Sequence, residues 1–227
     1  MLKSEKSKSG SSEKELLNLL LLKKKISRFM LEIEKSLYKK GYTKIVGIDE
    51  AGRGPLAGPV VAAAVIFPPD IKSFISKDSK KLTEKQREEL FIQIKEKAIS
   101  VGVGIVDSTV IDRINIYNAT KLAMERALQD LKTEYEFIIT DYVKFEPHPH
   151  ISIAKADEKS LSVAAASIIA KVIRDRIMVE FSKIYPHSFE KHKGYPTKLH
   201  REEIKRYGLT PIHRKSFNLQ VQHKLEL

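Results

Sequence analysis

The stretch that decides the fold is Gly47-Ile48-Asp49-Glu50-Ala51-Gly52-Arg53-Gly54-Pro55, where an apolar run breaks into charge and glycine. The apolar, largely β-branched residues at 45–48 predict a buried strand that ends near Asp49. Two adjacent carboxylates are costly to bury unless positive charge neutralises them. The two glycines let backbone N–H groups approach another molecule closely, and the arginine between them suits phosphate. The stretch indicates a phosphodiester-handling site, although the same residues are also ordinary in a solvated turn.

The composition describes a soluble globular protein that binds a polyanion. Of the 227 residues, 42% are hydrophobic and 31% are charged, and none is cysteine, which excludes disulfides, thiolate zinc sites and a cysteine nucleophile. The net charge of +12 is unevenly placed: residues 1–44 carry +7, residues 45–182 carry −1 and residues 183–227 carry +6. A near-neutral middle between basic ends fits a nucleic-acid substrate held by the flanks.

The N-terminal leader carries no targeting signal. Its apolar run at 16–22 is too short to span a bilayer and has its lysines after it rather than before it, unlike a secretory signal. We predict a disordered tail over 1–12, an amphipathic helix over 13–40 and a cytoplasmic, monomeric protein. The predicted domains are a basic leader (1–42), a catalytic domain (43–218) and a tail (219–227).

Apolar patterns along the chain predict an α/β protein. After the strand at 45–48, further strands are predicted at 59–67, 99–106, 137–141 and 151–154. Helices are predicted at 83–98, 116–132, 160–185 and 198–207, the first opened by a capping box between Thr83 and Gln86. Three hairpin-like strands followed by strands alternating with helices predict a mixed five-stranded sheet flanked by helices, with a basic, helical C-terminal segment.

Four carboxylates share a position at or just past the end of a predicted strand: Asp49, Glu50, Asp141 and Asp157. In open α/β sheets, sites form in the crevice outside strand ends. Converging carboxylates repel each other unless divalent cations neutralise them, and hard oxygen ligands select Mg²⁺ or Mn²⁺. Two such ions would stabilise the attacking and leaving oxygens of a displacement at phosphorus.

The chain resembles the type 2 ribonucleases H, and among them bacterial ribonuclease HII, from about residue 43 to 218. The resemblance is carried in order by the stretches 47–65, Asp78-Ser79-Lys80-Lys81-Leu82, 118–124, 164–176, His192-Lys193-Gly194-Tyr195 and 211–217. It implies a ribonuclease H-like fold and a metal-dependent endoribonuclease. The implied enzyme cuts RNA in RNA–DNA hybrids and 5′ of single ribonucleotides in duplex DNA, leaving a 3′-hydroxyl and a 5′-phosphate.

The resemblance also implies roles for particular residues. Asp49, Glu50, Asp141 and Asp157 match the four catalytic, metal-binding carboxylates. Gly52, Arg53 and Gly54 match the loop that contacts the ribonucleotide 2′-hydroxyl and nearby phosphates, and Tyr195 matches the aromatic ring that packs on the following deoxyribose. Reading the 2′-hydroxyl is how a protein tells RNA from DNA at one residue.

Six further residues are predicted substrate contacts: Ser79, Lys80, Asn118, Lys121, His213 and Arg214. For Asn118 and Lys121 the alternative is a polar face at the start of a helix. For His213 and Arg214 the alternative is that they close the fold. One departure from the family pattern is Tyr142, which follows Asp141 where the family often has glycine.

Two other functions compete with this interpretation. Ribonuclease HIII resists cutting single embedded ribonucleotides, but that sister family has lysine in place of Arg53 and an additional N-terminal nucleic-acid-binding domain. The leader of this chain is too short for such a domain. A noncatalytic binder on the same fold would gain nothing from four carboxylates, because they would repel a polyanion.

Overall fold

The computed structural model describes residues 30–75 and 82–219, and five strands in these ranges form one mixed sheet. They are β1 (Ile45–Ala51), β2 (Val60–Ile66), β3 (Ser100–Val106), β4 (Phe137–Thr140) and β5 (His150–Ser152). Their order across the sheet is β3-β2-β1-β4-β5. The first three strands pair antiparallel, whereas β4 is parallel to β1 and β5 is parallel to β4. The predicted mixed sheet of five strands is confirmed.

Helices cover both faces of this sheet. They are α1 (Glu32–Lys39), α2 (Glu84–Lys97), α3 (Ser108–Gln129), α4 (Leu161–Ile184), α5 (Phe189–His192) and α6 (Lys198–Tyr207). Helix α3 packs on one face, while α2 and α4 pack on the other. The predicted capping box between Thr83 and Gln86 is present. No helix within residues 30–75 or 82–219 is long and apolar enough to cross a membrane.

Helix α3 begins eight residues earlier than predicted, because two helical segments meet at a break. Asp107 caps the first segment by accepting from the backbone N–H of Val110 at 3.0 Å. Asn115 interrupts the helix with φ 66° and then accepts from the backbone N–H of Asn118 at 3.1 Å. The helical repeat of apolar residues begins anew after this break, so the sequence pattern predicted only the second segment. Helix α5 has a single turn and was missed for lack of a period.

Strand β1 continues past the predicted end near Asp49. Its pairing with β2 extends through Ala51, so Asp49 and Glu50 lie inside the strand and not beyond it. Their side chains point to opposite faces of the sheet, as alternation in a strand requires. Asp49 is opposite Ala63, which packs on the α4 side, and Glu50 is opposite Ala62, which packs on the α3 side.

The Gly102-x-Gly104 pattern in β3 serves helix packing. A Cβ atom on Gly104 would collide with the carbonyl oxygen of Ala123, and one on Gly102 would collide with that of Ala127. Both carbonyls belong to α3, whose backbone therefore lies directly on the strand. Glycine permits this close approach because it has no side chain.

Helix α1 belongs to the packed domain through a buried carboxylate. Glu34 is 2% exposed, and its Oε1 accepts from the Ser160 hydroxyl at 2.6 Å. The same oxygen accepts from the backbone N–H and the hydroxyl of Ser162 at 3.1 and 2.8 Å. Burial raises the pKa of Glu34 above its ordinary value. Helix α1, which lies in the predicted leader, is therefore attached to the start of α4.

Glu34→Ala is expected to lower the free energy of unfolding by roughly 1–3 kcal/mol, because it leaves buried donors without their acceptor. Chemical denaturation followed by circular dichroism measures the loss. Glu32→Ala, an exposed change on the same helix, is the matched control and should be close to neutral. Equal stability of the two variants would contradict the role of Glu34.

Candidate active site

The four predicted carboxylates come from adjacent parts of the sheet. Asp49 and Glu50 lie in the central strand β1, and Asp141 directly follows β4, the parallel neighbour of β1. Asp157 is buried in a short 3₁₀ turn, Ala156–Glu158, five residues after β5 ends. The sheet order thus carries residues far apart in sequence to one end of the parallel half.

These carboxylates repel each other. Desolvation raises the pKa of Asp49 well above its ordinary value, and the charges of Glu50 and Asp157 raise it further, against a hydrogen bond from Ser167. Desolvation also raises the pKa of Glu50, where Arg53 opposes the shift and the charge of Asp141 adds to it. The charges of the other carboxylates therefore reach Asp49, from Glu50 and Asp157, and Glu50, from Asp141. A group of this kind binds positive charge, since a cation relieves the repulsion.

The Gly-Arg-Gly loop leaves β1 at the same place. Gly52 has φ +100°, a conformation that L side chains rarely adopt, and a Cβ there would overlap the buried side chain of Arg174. Arg53 is exposed, and its Nη1 donates to Glu50 Oε1 at 3.2 Å. A Cβ on Gly54 would meet only the Tyr195 ring, at 4.0 Å. The fold requires glycine at position 52, whereas a side chain at position 54 would make only an ordinary contact.

Two buried arginines hold this loop from beneath. Arg214 donates to the carbonyl oxygens of Gly52, Arg53 and Gly58 at 2.6, 3.0 and 2.8 Å. Burial and the nearby charge of Arg174 lower the pKa of Arg214 to about 9.

The second arginine connects the segment that follows the Gly-Arg-Gly loop to the segment that precedes Tyr195. Arg174 is fully buried in α4 and donates to Ala57 and Pro59 carbonyls at 3.1 and 3.0 Å and to the Lys193 carbonyl at 3.0 Å. The chain before Tyr195 is thereby fixed to the end of the Gly-Arg-Gly loop.

A cleft of about 400 Å³ runs along the loop, lined by residues 50–54, Arg87, Ser167, Ile168, Lys171 and Tyr195. The Tyr195 side chain is 40% exposed, and Lys171 Nζ lies 5.7 Å from its ring centroid. Sequence reasoning missed Arg87 and Lys171, because a single cation on a helix is ordinary. Lys171 does lie in the family-like stretch 164–176, which was the available signal.

Two of the predicted substrate contacts are buried in the structure. His213 and Arg214 are 2% and 0% exposed, and their polar atoms bond within the protein, so neither is presented to a ligand. Both close the fold, which was the alternative. Asn118 is exposed and its Nδ2 donates to the Ile114 carbonyl at 3.0 Å, while Lys121 is half-buried. Neither borders the cleft described above.

Ser79 and Lys80 lie outside the described residues. Tyr142, the departure from the family pattern, has φ 58° and a side chain that is 71% exposed. The turn after Asp141 holds position 142 in the left-handed conformation, which glycine adopts more readily than other residues.

Known proteins similar to this chain show its family. A family model described as Ribonuclease HII matches residues 46–220. The chain belongs to the ribonuclease HII family. It is 59% identical over 190 residues to ribonuclease HII of Aquifex aeolicus (strain VF5), covering 83% of this chain and 96% of that one.

Solved structures agree with this assignment. The ribonuclease H2 of Pyrococcus horikoshii OT3 matches with a TM-score of 0.62 and 30% identity over 78% of this chain and 94% of that one. A ribonuclease HIII (Bst-RNase HIII) solved with Mn²⁺ matches with a TM-score of 0.58 and 21% identity over 78% and 68%, which shows the shared fold. As a ribonuclease HII, the chain is an endoribonuclease that hydrolyses RNA in RNA–DNA hybrids.

Ribonucleases H depend on divalent metal ions, and the donor chemistry here fits them. All four candidate ligands of this ribonuclease HII are carboxylates, which Mg²⁺ and Mn²⁺ prefer. Within residues 30–75 and 82–219, no group of three or more histidine, aspartate or glutamate side chains is arranged to hold a metal ion. Glu50 accepts from Arg53 and lies on the opposite face of β1 from Asp49.

The histidines of this ribonuclease HII predict acid sensitivity. Burial lowers the pKa values of His200 and His213 from 6.5 to about 4. Between pH 6.5 and pH 4 these two histidines are therefore protonated in the unfolded chain but not in the folded chain. The free energy of unfolding falls as the pH falls through this range, by about 1.4 kcal/mol per pH unit for each histidine. Urea unfolding at pH 7, 6 and 5 measures this slope. His200→Asn should show a shallower slope than the wild type, and identical slopes would contradict the prediction.

Proposed function

We propose that this ribonuclease HII cuts on the 5′ side of a ribonucleotide, including a single ribonucleotide embedded in duplex DNA. The cut leaves a 3′-hydroxyl and a 5′-phosphate. The observation that carries the proposal is one cleft in which Glu50, whose pKa is raised together with that of Asp49, lies beside the Gly-Arg-Gly loop and a half-exposed tyrosine. Removal of misincorporated ribonucleotides and of RNA primers is the corresponding task in the cell.

The carboxylates supply the chemistry of this proposal. Asp49, Glu50, Asp141 and Asp157 would hold two divalent cations, Mn²⁺ or Mg²⁺. Such a pair, when bound, stabilises the charge that develops on the attacking and leaving oxygens. The role of the protein is to position the phosphate between these side chains, and Arg53 assists by releasing Glu50 and turning to a phosphate.

The cleft walls supply the recognition. Gly54 leaves room for a sugar-phosphate backbone to approach the loop N–H groups, which can read the 2′-hydroxyl. Arg53, Arg87 and Lys171 line the same cleft and offer charge to neighbouring phosphates. Tyr195 closes the far side, where its ring would pack on the deoxyribose that follows the ribonucleotide.

The proposed unit of activity is the domain that ends near residue 218, with α1 included. The basic leader before it would add phosphate contacts that do not depend on sequence. Removal of residues 1–29 should therefore weaken binding and flatten its salt dependence without changing the cleavage site. A shifted cleavage site in a folded truncated protein would contradict this division.

One experiment tests the function. A DNA duplex with a single ribonucleotide is incubated with the enzyme and Mg²⁺ or Mn²⁺, and the ends of the products are mapped. Cleavage 5′ of the ribonucleotide with a 3′-hydroxyl product supports the proposal. The all-DNA duplex is the control and should stay intact. Binding without cleavage of either the ribonucleotide duplex or a full hybrid would favour the noncatalytic alternative.

Tyr195→Ala is expected to slow cleavage at a single embedded ribonucleotide by about 5- to 150-fold, the range for a lost stacking contact of about 1–3 kcal/mol. All-RNA hybrid strands should lose less, because a 2′-hydroxyl on the next sugar already crowds the ring. Steady-state kinetics on both substrates measure the ratio, and Tyr195→Phe, which keeps the ring, is the matched control. An equal loss on both substrates would remove Tyr195 from the recognition site.

A further inference from the structure

Four of the seven histidines form a buried cluster that the proposed chemistry does not use. His187, His192, His200 and His213 are between 0% and 6% exposed and lie in the segment from the end of α4 to residue 213. The rings of His192 and His200 stack with centroids 4.1 Å apart. Buried imidazoles need partners for both nitrogens, so the hydrogen bonds of this cluster are informative.

Backbone donors fix the proton position on His213. The backbone N–H of Thr210 donates to Nδ1 of His213 at 2.9 Å, so Nδ1 carries no proton. The proton of the neutral ring is therefore on Nε2. That nitrogen lies 3.1 Å from Nε2 of His200 and donates to it.

The chain of hydrogen bonds continues from His213 through His200 to Tyr195. Because Nε2 of His200 accepts, its proton is on Nδ1, which donates to the Tyr195 carbonyl oxygen at 3.0 Å. His192 acts on the preceding residue, since its Nδ1 accepts from the Gly194 N–H at 3.1 Å while Nε2 donates to Glu203 at 2.9 Å. Two stacked imidazoles thus hold the backbone on either side of the Gly194–Tyr195 peptide.

The other end of this chain is attached to the Gly-Arg-Gly loop. His213 forms an isolated β-bridge with Ala57, and the backbone N–H of Arg214 donates to the Leu56 carbonyl at 2.8 Å. The side chain of Arg214 holds the carbonyls of Gly52 and Arg53. Two adjacent residues therefore connect the two walls of the cleft. His213 is linked through His200 to Tyr195 on one wall, and Arg214 holds the Gly-Arg-Gly loop on the other.

We propose that His200 and His213 are positioning residues that set the place of the Tyr195 ring relative to the Gly-Arg-Gly loop, and thereby the preference for a ribonucleotide followed by deoxyribose. The inference rests on the proposed role of Tyr195. Its physical basis is that every proton in the chain from Thr210 to Tyr195 has one consistent position. Such a chain has a single low-energy geometry, which suits discrimination between sugars that differ by one hydroxyl.

A matched pair of substitutions at His200 tests the proposal. In His200→Asn the amide nitrogen occupies the place of Nδ1 and can still donate to the Tyr195 carbonyl. In His200→Gln the amide reaches the place of Nε2, which keeps the contact with His213 and loses the one with Tyr195. The readout is the ratio of kcat/KM on a duplex with one ribonucleotide to kcat/KM on an all-RNA hybrid, measured with Mg²⁺ or Mn²⁺.

His200→Gln is expected to lower this ratio about three- to tenfold, the effect of one lost hydrogen bond, while His200→Asn stays within about twofold of the wild type. A merely structural role would lower both rates together and leave the ratio unchanged. Equal ratios in the two variants would overturn the positioning role. Thermal unfolding of both variants monitors the fold.

Two further measurements separate the inference from the function on which it rests. If Tyr195→Ala leaves the ratio of the two kcat/KM values unchanged, both the role of Tyr195 and the positioning role are wrong. If Tyr195→Ala changes this ratio and the His200 substitutions do not, only the positioning role is wrong. Nitrogen NMR of the wild type at pH 7 requires no folded variant. It should show neutral rings, with the proton on Nδ1 of His200 and on Nε2 of His213, and the opposite tautomers would overturn the proposal.

Discussion

Asp49→Asn should reduce cleavage by at least about a thousandfold, since ligand loss removes several kcal/mol of transition-state charge stabilisation. The same change should raise the free energy of unfolding in metal-free buffer at neutral pH. Desolvation and the charges of Glu50 and Asp157 disfavour ionised Asp49 in the folded state, so a neutral amide relieves that cost. Loss of activity together with gain of stability is typical of a residue kept for function.

Single-turnover kinetics with Mn²⁺ and urea unfolding in EDTA measure these two effects. Binding of an uncleaved hybrid should be largely retained, because Arg53, Arg87 and Lys171 are untouched. Asp70→Asn, an exposed change of the same chemistry, is the control and should alter neither quantity. Cleavage by Asp49→Asn within a few-fold of the wild type would contradict the assignment of the four carboxylates.

The two glycines of the Gly-Arg-Gly loop should respond in opposite ways to alanine. Gly52→Ala is expected to lower the free energy of unfolding by roughly 2–4 kcal/mol, because the new methyl overlaps Arg174 and the backbone is held at φ +100°. Gly54→Ala should change stability by less than about 0.5 kcal/mol, because its methyl meets only the Tyr195 ring, at an ordinary contact distance of 4.0 Å. Its cleavage should nevertheless fall about 10- to 100-fold, since a small displacement of the bound backbone is costly.

Thermal unfolding and cleavage of a single-ribonucleotide duplex distinguish these two effects. Each glycine variant serves as the control for the other, because both place one methyl group in the same short loop. A stable, fully active Gly54→Ala protein would show that the substrate does not approach the loop at this point. A Gly52→Ala protein of normal stability would show that Arg174 can move aside.

Local patterns in the sequence predicted most of the fold. The capping box at Thr83, the strand that ends just before Asp141 and the long helix after Ser160 all depend on neighbouring residues, and each is present. The end of β1 was placed too early, because charge and glycine are typical of a turn. Pairing with β2 through Ala51 outweighs that preference, and only the partner strand reveals it.

The part of the site that sequence reasoning missed depends on burial. The sequence left two roles open for Arg214 and His213, contact with the substrate or closure of the fold, because arginine and histidine are usually exposed and their burial depends on partners elsewhere in the chain. They are buried because the carbonyls of the Gly-Arg-Gly loop and the ring of His200 satisfy their donors. The carbonyl partners of Arg214 lie more than a hundred residues away in the sequence, so no local sequence pattern predicts them.

Because β1 lies at the centre of the sheet, the active site of this nuclease is completed only after distant parts of the chain have paired with it. The antiparallel hairpin of β1 and β2 needs only local closure, whereas pairing of β1 with β4 closes a loop of about 90 residues, which slows folding. The Gly-Arg-Gly loop beside the cleft is then fixed when Arg214 donates to its carbonyl oxygens. During synthesis, a chain that stops before this residue has every residue that lines the cleft but lacks the side chain that holds the carbonyls of Gly52 and Arg53, so we expect hydrolytic activity to appear late. Cleavage can therefore report the final docking step of refolding.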